Sequence, residues 1–528
     1  MMNVLRNPKV WALALAVGAT PVMTSAQQPA APALPAQVDQ YVVGQAVPEV
    51  APGTNMLNLT LEQAMEMALE NNLDLRVARM NPQGVDYQLA SARAAFVPQL
   101  TGSSLYQSQS SKNTSTLEQR DTVTNATQRY VSGMSQTLPW YGGRFTANWT
   151  NSRVATNSSQ TTRNPAYNSN VSFNYTQPLL AGFKIDNNRN QLRTLSIQRQ
   201  IADVQLLTTI ENTKASVRTA YWNLRQAIEQ IEIQRRSLDL ANRLFQDNRT
   251  KVEIGTLAPI ETTTSETQVA NAEQALLNAQ IQARTAELTL KRLLANGPDA
   301  AVYTATINPV ETAALSVQRV DIAGAIQRAM ADRTDLVQAR RNLEVSNLNL
   351  EVTRNLTKPQ LDLQTGYQLQ GAGGNEFRNG VLTNPGDYGQ ALAAIRALDF
   401  PTWNVQFNFT YPLFMKAARA NFARAQLQID QSMAQIKAQE LTVTADVTNA
   451  GLAVENTYKQ FQAAQKAREV AFRNADAEQT RFDVGMSTNY NVVQAQQNLT
   501  SQRLAELRAI ISYLNAVAEF DRIQRVGR

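Results

Sequence analysis

The chain has 528 residues with no cysteine and no histidine, which removes thiolate and imidazole chemistry and with it most metal-binding, redox and His-based catalytic constellations. The formal charge of +6 is modest for this length and comes without a long Lys or Arg block, so nothing marks a nucleic-acid footprint. No cofactor, metal ion or catalytic residue is expected, and no Gly-rich phosphate loop or nucleophile motif stands out.

The N-terminus reads as an export signal over residues 1–26. Arg6 and Lys9 form its positive end, Val10 to Met23 is largely apolar, and Thr24, Ser25 and Ala26 supply small residues for cleavage. Cleavage there lowers the charge from +6 to +4, because only Arg6 and Lys9 are lost. No later stretch reaches about 18 apolar residues, so no helix is expected to cross a bilayer. A membrane crossing would then need a closed β-barrel. Residues 27–56, rich in Ala, Pro, Gln and Val, read as an extended linker.

From residue 57 onward the sequence is duplicated. Around Asp74 the run DLRVARMN matches DLVQARRN around Asp335, an offset of 261, and at the same offset Pro98-Gln99-Leu100 falls on Pro359-Gln360-Leu361. Further on, Gln177-Pro178-Leu179 answers Tyr411-Pro412-Leu413, and the run from Lys251 to Gly255 answers that from Arg481 to Gly485. Four landmarks recur in one order, which defines a first repeat over 57–296, a linker over 297–320 and a second repeat over 321–528.

Each repeat predicts a helix, then strands, then two long helices. Thr60 is placed to cap the first helix, with Gln63 three residues on completing a capping box. Pro98 stops that helix, and Pro82 and Gly84, where the second repeat has Leu343 and Val345, predict a kink or break near Asn81. Strands are expected within 98–178 and 359–412, near ten residues long. Val405-Gln-Phe407-Asn-Phe409-Thr-Tyr411 alternates apolar with polar residues, and Val171-Ser-Phe173-Asn-Tyr175 and Phe145-Thr-Ala147-Asn-Trp149 repeat the pattern. A soluble sandwich gives the same signal, but a wet face of Asn, Ser, Thr and Gln in an exported chain favours a barrel. Val171, Phe173, Tyr175, Val405, Phe407, Phe409 and Tyr411 are then its lipid-facing positions.

The first repeat has 27 more residues in this region than the second, about one hairpin, with Thr137 to Gly143 as its turn. Its place inside or outside a barrel is left open by the sequence. Residues 107–128 and 371–402 read as Gly-, Asn-, Ser- and Gln-rich loops. Beyond each Pro-Leu pair prolines disappear, and residues from about Asp186 to Ile254 support nearly seventy helical residues, a rod of about 100 Å that must lie in a coiled-coil-like array. Gly255 and Gly485 end the rods in left-handed turns, and second helices return over 256–294 and 489–525.

Taken together, the run LTLEQAMEMALENNLDLRVARMN, the VPQL and KPQL prolines, the QPLL and YPLF prolines and the two glycine turns resemble the TolC-type outer-membrane efflux family. The resemblance covers 57–523. It implies a mainly α fold with membrane β structure: a homotrimer whose chains share one outer-membrane β-barrel and a long periplasmic coiled-coil barrel. It also implies a passive channel that exports small molecules or proteins, working with a periplasmic adaptor and an inner-membrane pump. The turns Ile254-Gly255-Thr256 and Val484-Gly485-Met486 would meet the adaptor, and the pore constriction would fall on Glu261, Asn491 and Gln494. Where the family closes its aperture with a tyrosine and an arginine, this chain has Phe482 and Ser487, so closure is expected from packing and a ring of Glu261. A periplasmic adaptor or scaffold is the alternative, but one long hairpin among soluble β-domains would not account for the duplication. An exported enzyme would need convergent reactive groups.

Overall fold

The computed structural model describes residues 46–49 and 55–525, apart from 115, 117, 119, 312–319, 379, 380 and 412. The expected signal segment over 1–26 and most of the expected linker over 27–56 lie outside the described residues. Strand β1 (Met56–Leu59) leads into helices α1 (Leu61–Asn71) and α2 (Leu73–Ala94). The capping box forms as expected: Thr60 Oγ1 accepts from the Gln63 amide at 3.2 Å, and Gln63 Oε1 accepts from the Thr60 amide at 3.1 Å. In the second half, α6 (Ile322–Asp332) and α7 (Thr334–Asn355) have the bounds of α1 and α2 moved by the same 261 residues. Buried Ala64, Ala68 and Leu75 become buried Ala325, Ala329 and Leu336. Even one side-chain bond is copied, since Arg79 donates to the Leu69 carbonyl at 2.8 Å and Arg340 to that of Met330 at 3.1 Å.

The helix does not break near Asn81. Helix α2 runs through Pro82, and the chain turns at Asn72, which leaves the helical region and caps α2 by accepting from the Leu75 amide at 2.9 Å. The second half breaks at the equivalent Arg333 without any nearby proline, so the break belongs to the repeated unit. Proline at 82 removes one donor and crowds one turn, and the buried ring is accommodated inside a continuous helix.

The rods are α3 (Asn187–Glu253, 67 residues) and α9 (Lys416–Asp483, 68 residues), returning as α4 (Ile260–Leu294) and α10 (Asn489–Arg525). Neither rod contains proline, and Gly451 is the one glycine in the pair. Their firmest packing is at the waist. There Val217, Tyr221, Leu224 and Ile228 of α3 bury against Ala64, Ala68, Leu290, Leu294 and Ile307, while Val443, Val447 and Val454 of α9 bury against Ala325, Ala329, Leu336 and Tyr513. Residues 297–320, read as a linker, contain the short helix α5 (Ala301–Thr304) and strand β6 (Thr306–Pro309), and β6 pairs in parallel with β1. That two-stranded patch is tied to α3. Tyr221 donates its hydroxyl to the Leu59 carbonyl at 3.0 Å and accepts from the Glu311 amide at 3.1 Å. Arg225 donates to the Pro309 carbonyl at 2.7 Å and pairs with Glu229 at 2.8 Å, with side chains 2% and 1% exposed. At the position of Tyr221 in the second half stands Gly451, where a Cβ would lie 2.8 Å from Ile322; the missing side chain lets α6 come close.

At the other end of the rods is one antiparallel sheet of β2 (Gln99–Lys112), β3 (Thr122–Thr137), β4 (Arg144–Thr156), β5 (Arg163–Pro178), β7 (Gln360–Arg378), β8 (Val381–Asn384) and β9 (Pro401–Thr410). Its order is β2-β3-β4-β5-β7, and β9 and the short β8 share the far edge of β7. The six long strands run from 10 to 19 residues, longer than expected, because much of 107–128 and 371–402 continues the strands instead of forming loops. Alternation does not require apolar residues on a face that meets water, so Ser- and Gln-rich segments can extend a strand. The additional hairpin lies in the sheet as β3 and β4; its turn, 138–143, falls within the expected Thr137 to Gly143, with Thr137 ending β3, and is closed by the Leu138 amide on the Gly143 carbonyl at 2.7 Å. Helix α8 (Tyr388–Ala397) folds back onto β5 and β7 where Gly371 and Gly373 leave room for its backbone. Within one chain the sheet is open, with β2 and β9 as edges, so a single copy does not form the closed barrel expected from the sequence.

Burial raises the Tyr221 phenol above its ordinary value, which keeps it a donor. Replacing it by phenylalanine strands the Glu311 amide, a cost of about 1–3 kcal/mol, while the Leu59 carbonyl keeps the Val310 amide at 3.1 Å. Circular dichroism of Tyr221→Phe should show helix melting at a lower temperature than the parent; coincident transitions would mean that the hydroxyl does not hold the waist.

Candidate functional site

The two glycine turns have the same geometry. Gly255 and Gly485 both have φ of +78°, a backbone region that costs glycine little and other residues more. The Thr256 amide donates to the Lys251 carbonyl at 2.9 Å and the Gly255 amide to that of Val252 at 3.0 Å; Met486 and Gly485 repeat this on Arg481 and Phe482 at 2.7 and 3.1 Å. This paired closure satisfies the last carbonyls of each rod. It leaves Ile254, Val484 and Met486 exposed at the tips, with Thr256 beside them. Sequence reasoning missed two further exposed residues, Ile260 and Tyr490, which occupy equivalent places in the two returning helices.

Just behind the tips the hairpins are joined to each other. Glu261 on α4 accepts from the Asn489 side chain on α10 at 2.9 Å. Asn489 is 1% exposed and was not singled out from the sequence; only its place next to the family positions could have suggested it. Phe482 is buried between the hairpins with Leu244 and Val492, and the Lys251 ammonium sits 3.9 Å from its ring centroid, a cation–π contact. Ser487 donates to Glu478 at 2.7 Å, and Asn491 reaches the Ser487 hydroxyl at 3.4 Å. Asn491 and Gln494 line an exposed groove with Asn474 and Glu478. The structure therefore brings Glu261 to Asn489, and Ser487 and Asn491 to Glu478, while Phe482 lies in the seam and Gln494 faces the groove.

The seam is also poorly satisfied. Asn248 of α3 is fully buried, and neither amide atom has a hydrogen-bond partner; the Asn489 side-chain oxygen has none either. Each such group costs about 1–3 kcal/mol. Packing at this end is thus offset by unmet polar groups; the waist carries some as well, the Arg225 Nε and the Asn308 Oδ1, but there Tyr221 and the terminal nitrogens of Arg225 are engaged.

The second candidate surface is the sheet face. Direct cross-strand partners share a face, and the ladders place Phe145 beside Tyr175, Tyr175 beside Thr365 and Thr365 beside Val405. Phe173, Tyr367 and Trp403 form a parallel row, as do Leu363 with Phe407 and Leu361 with Phe409. All the expected apolar strand positions fall on this face; Val171 lies in it between Trp149 and Leu369, and Tyr411 just beyond the end of β9. The opposite face carries Asn148, Ser172 and Gln368 in one row and Asn174, Gly366 and Asn404 in another. Among the described residues no helix is long and apolar enough to cross a membrane.

The family model described as outer membrane efflux protein matches residues 64–296 and 325–523. Among solved structures, the Campylobacter jejuni CmeC outer membrane channel is similar at 16% identity over 88% of this chain and 86% of that one, with a TM-score of 0.64. The Vibrio cholerae outer membrane protein VceC is similar at 13% identity over 88% and 96%, with a TM-score of 0.62. The open state of the Neisseria gonorrhoeae MtrE outer membrane channel is similar at 16% identity over 93% and 96%, with a TM-score of 0.61. No curated protein sequence matches.

The Ser487 hydroxyl, helped by Arg481 at 2.8 Å and opposed by burial, holds the Glu478 carboxyl below its usual value. A depressed carboxyl stabilises the fold above the unfolded value and loses that contribution as pH falls through the folded one. Ser487→Ala should therefore melt below the parent at about pH 7, with the gap closing as pH falls below the carboxylate range near pH 4. A gap that stays constant across that range would contradict the coupling.

Proposed function

Because this chain belongs to the outer membrane efflux protein family, an outer-membrane channel of efflux, we propose that three copies assemble into one conduit from the periplasm to the exterior. The observation that carries this is the sheet: one face is apolar from β4 to β9, the other is lined with amides and hydroxyls, and both edges are unpaired. Unpaired backbone groups are not tolerated in hydrocarbon. Neighbouring copies would pair these edges and close a barrel with the apolar face toward lipid and the polar face toward water. The count of three rests on the family resemblance.

The rods extend the conduit into the periplasm, and their tips meet the adaptor. Ile254, Val484 and Met486, with Ile260 and Tyr490 alongside, form paired apolar knobs that suit packing against the tips of another helical hairpin. An inner-membrane pump would supply the energy and the choice of substrate, and conduction through this chain would be passive. The aperture lies where the hairpins meet. The Glu261 bond to Asn489 and the burial of Phe482 hold them together, and the unmet polar groups of Asn248 and Asn489 weaken the seam. Such an element is drawn from the low-stability end of a structure.

Fractionation tests the assembly: the protein should extract from the outer membrane as a species of three chains, and a monomer in the periplasmic fluid would refute it. Single-channel recording tests the aperture. Glu261→Ala should raise conductance by releasing the seam, whereas Asn248→Leu, which removes about 1–3 kcal/mol of unmet polarity, should lower the frequency of open events. Identical recordings from both variants and the parent would remove the aperture from this seam.

A further inference from the structure

We propose that the additional hairpin β3–β4 is part of the barrel wall, so that each copy supplies six long strands and three copies close a wall of eighteen. The inference rests on the trimeric reading above and adds what sets the bore. The second half of the chain supplies only β7 and β9 as long strands, joined to α7 and α9. Two segments of that kind would give four strands per copy.

The strand register already has the pitch of a closing barrel. From Gln99, at the helix-joined end of β2, the ladder runs to Ser135, Thr146, Asn174, Gly366 and Asn404. Asn404 is six residues short of Thr410, where β9 ends on the same side. A climb of six residues over five strand pairs, at about 3.3 Å per residue and about 4.8 Å between strands, tilts the strands by about 40°, inside the range of closed barrels. The hairpin shares in this climb, since the step from β2 to β3 and the step from β4 to β5 each contribute to it.

The helices give an independent measure of the perimeter. At the junction α2, α3, α7 and α9 pack side by side in that order, matching the order of the strands they join. Four helices spaced at about 8–10 Å span roughly 32–40 Å of wall. Six strands tilted at about 40° span about 38 Å, whereas four span about 25 Å. Six fit the helices beneath them.

The two bare edges also fit each other. Setting the inner end of β2, Gln99, opposite the inner end of a neighbour's β9, Thr410, puts even-numbered β2 residues beside odd-numbered β9 residues, so that both apolar sets share the outer face. In that register Leu100 meets Phe409, Gly102 meets Phe407, Ser104 meets Val405 and Tyr106 meets Trp403. Small residues face large ones at the centre. In the single chain Leu100 is 83% exposed, Tyr106 70% and Trp403 74%, and a Cβ on Gly102 would touch nothing.

The absence of cysteine makes the test direct. Thr365 lies on the outer face between Tyr175 and Val405, and a spin label on Thr365→Cys in lipid nanodiscs reports the distance to its symmetry mates. An eighteen-strand wall has a backbone radius of about 18 Å and a twelve-strand wall about 12 Å. With the label outside the wall the expected distances are about 40 Å and about 30 Å. A distance near 40 Å, with Ser104→Cys and Val405→Cys in one chain forming disulfides between copies on oxidation, supports the proposal. A species of three chains with a distance near 30 Å, or with no such cross-link, overturns it. A single-chain mass with no label-to-label distance overturns the trimeric reading itself, and this inference with it.

Discussion

A sheet edge is a row of backbone donors and acceptors, and hydrocarbon offers them nothing. That constraint organises this chain. The polypeptide devotes six long strands to a sheet whose interior strands are paired along most of their length, yet leaves β2 and β9 bare at its two ends. The apolar residues on one face forbid water as the permanent solution for that face, and the bare edges forbid lipid unless they are paired. The proposed closed ring of copies satisfies both. In that assembly the rods, the waist and the turns carry the same ring far from the membrane.

Stability and motion are divided along each rod. At the waist, large side chains are buried and most of the polar groups among them are engaged: Tyr221 on Leu59 and Glu311, and the terminal nitrogens of Arg225 on Pro309 and Glu229, while the Arg225 Nε has no partner. Breaking a buried pair of this kind is costly. At the tips the seam holds by a few contacts, Phe482 with Leu244 and Val492 and Glu261 with Asn489, and contains amide atoms without partners. The aperture proposed at the tips would use this gradient, since the walls of a gated conduit must keep their shape while one end separates.

Much of this was legible in the sequence because duplication supplies its own control. The rods, the Thr60 cap, the turns at Gly255 and Gly485 and the apolar strand positions could all be read, since period, proline placement and glycine are local signals. The break at Asn72 was not. Pro82 drew attention because proline is a strong local rule, but a helix held by its repeat's packing runs through it, while the break at Asn72 recurs at Arg333 and Asn72 bonds to the distant Leu293 carbonyl on α4, which no local rule reveals. The pairing of β1 with β6 and the fold-back of α8 were missed for the same reason: a four-residue strand and a ten-residue helix carry too little pattern to stand out, and both depend on partners distant in the sequence. At the tips Glu261 could be named, but Asn489 could not, because an asparagine that starts one helix reveals nothing of a carboxylate on another.

The most direct test of the account is hydrogen exchange of the edge-strand amides in protein held in lipid. If copies close the sheet, β2 and β9 should be protected as fully as the interior strands β4 and β5. Rapid exchange along both edges, with the interior protected, would contradict closure and leave the sheet open.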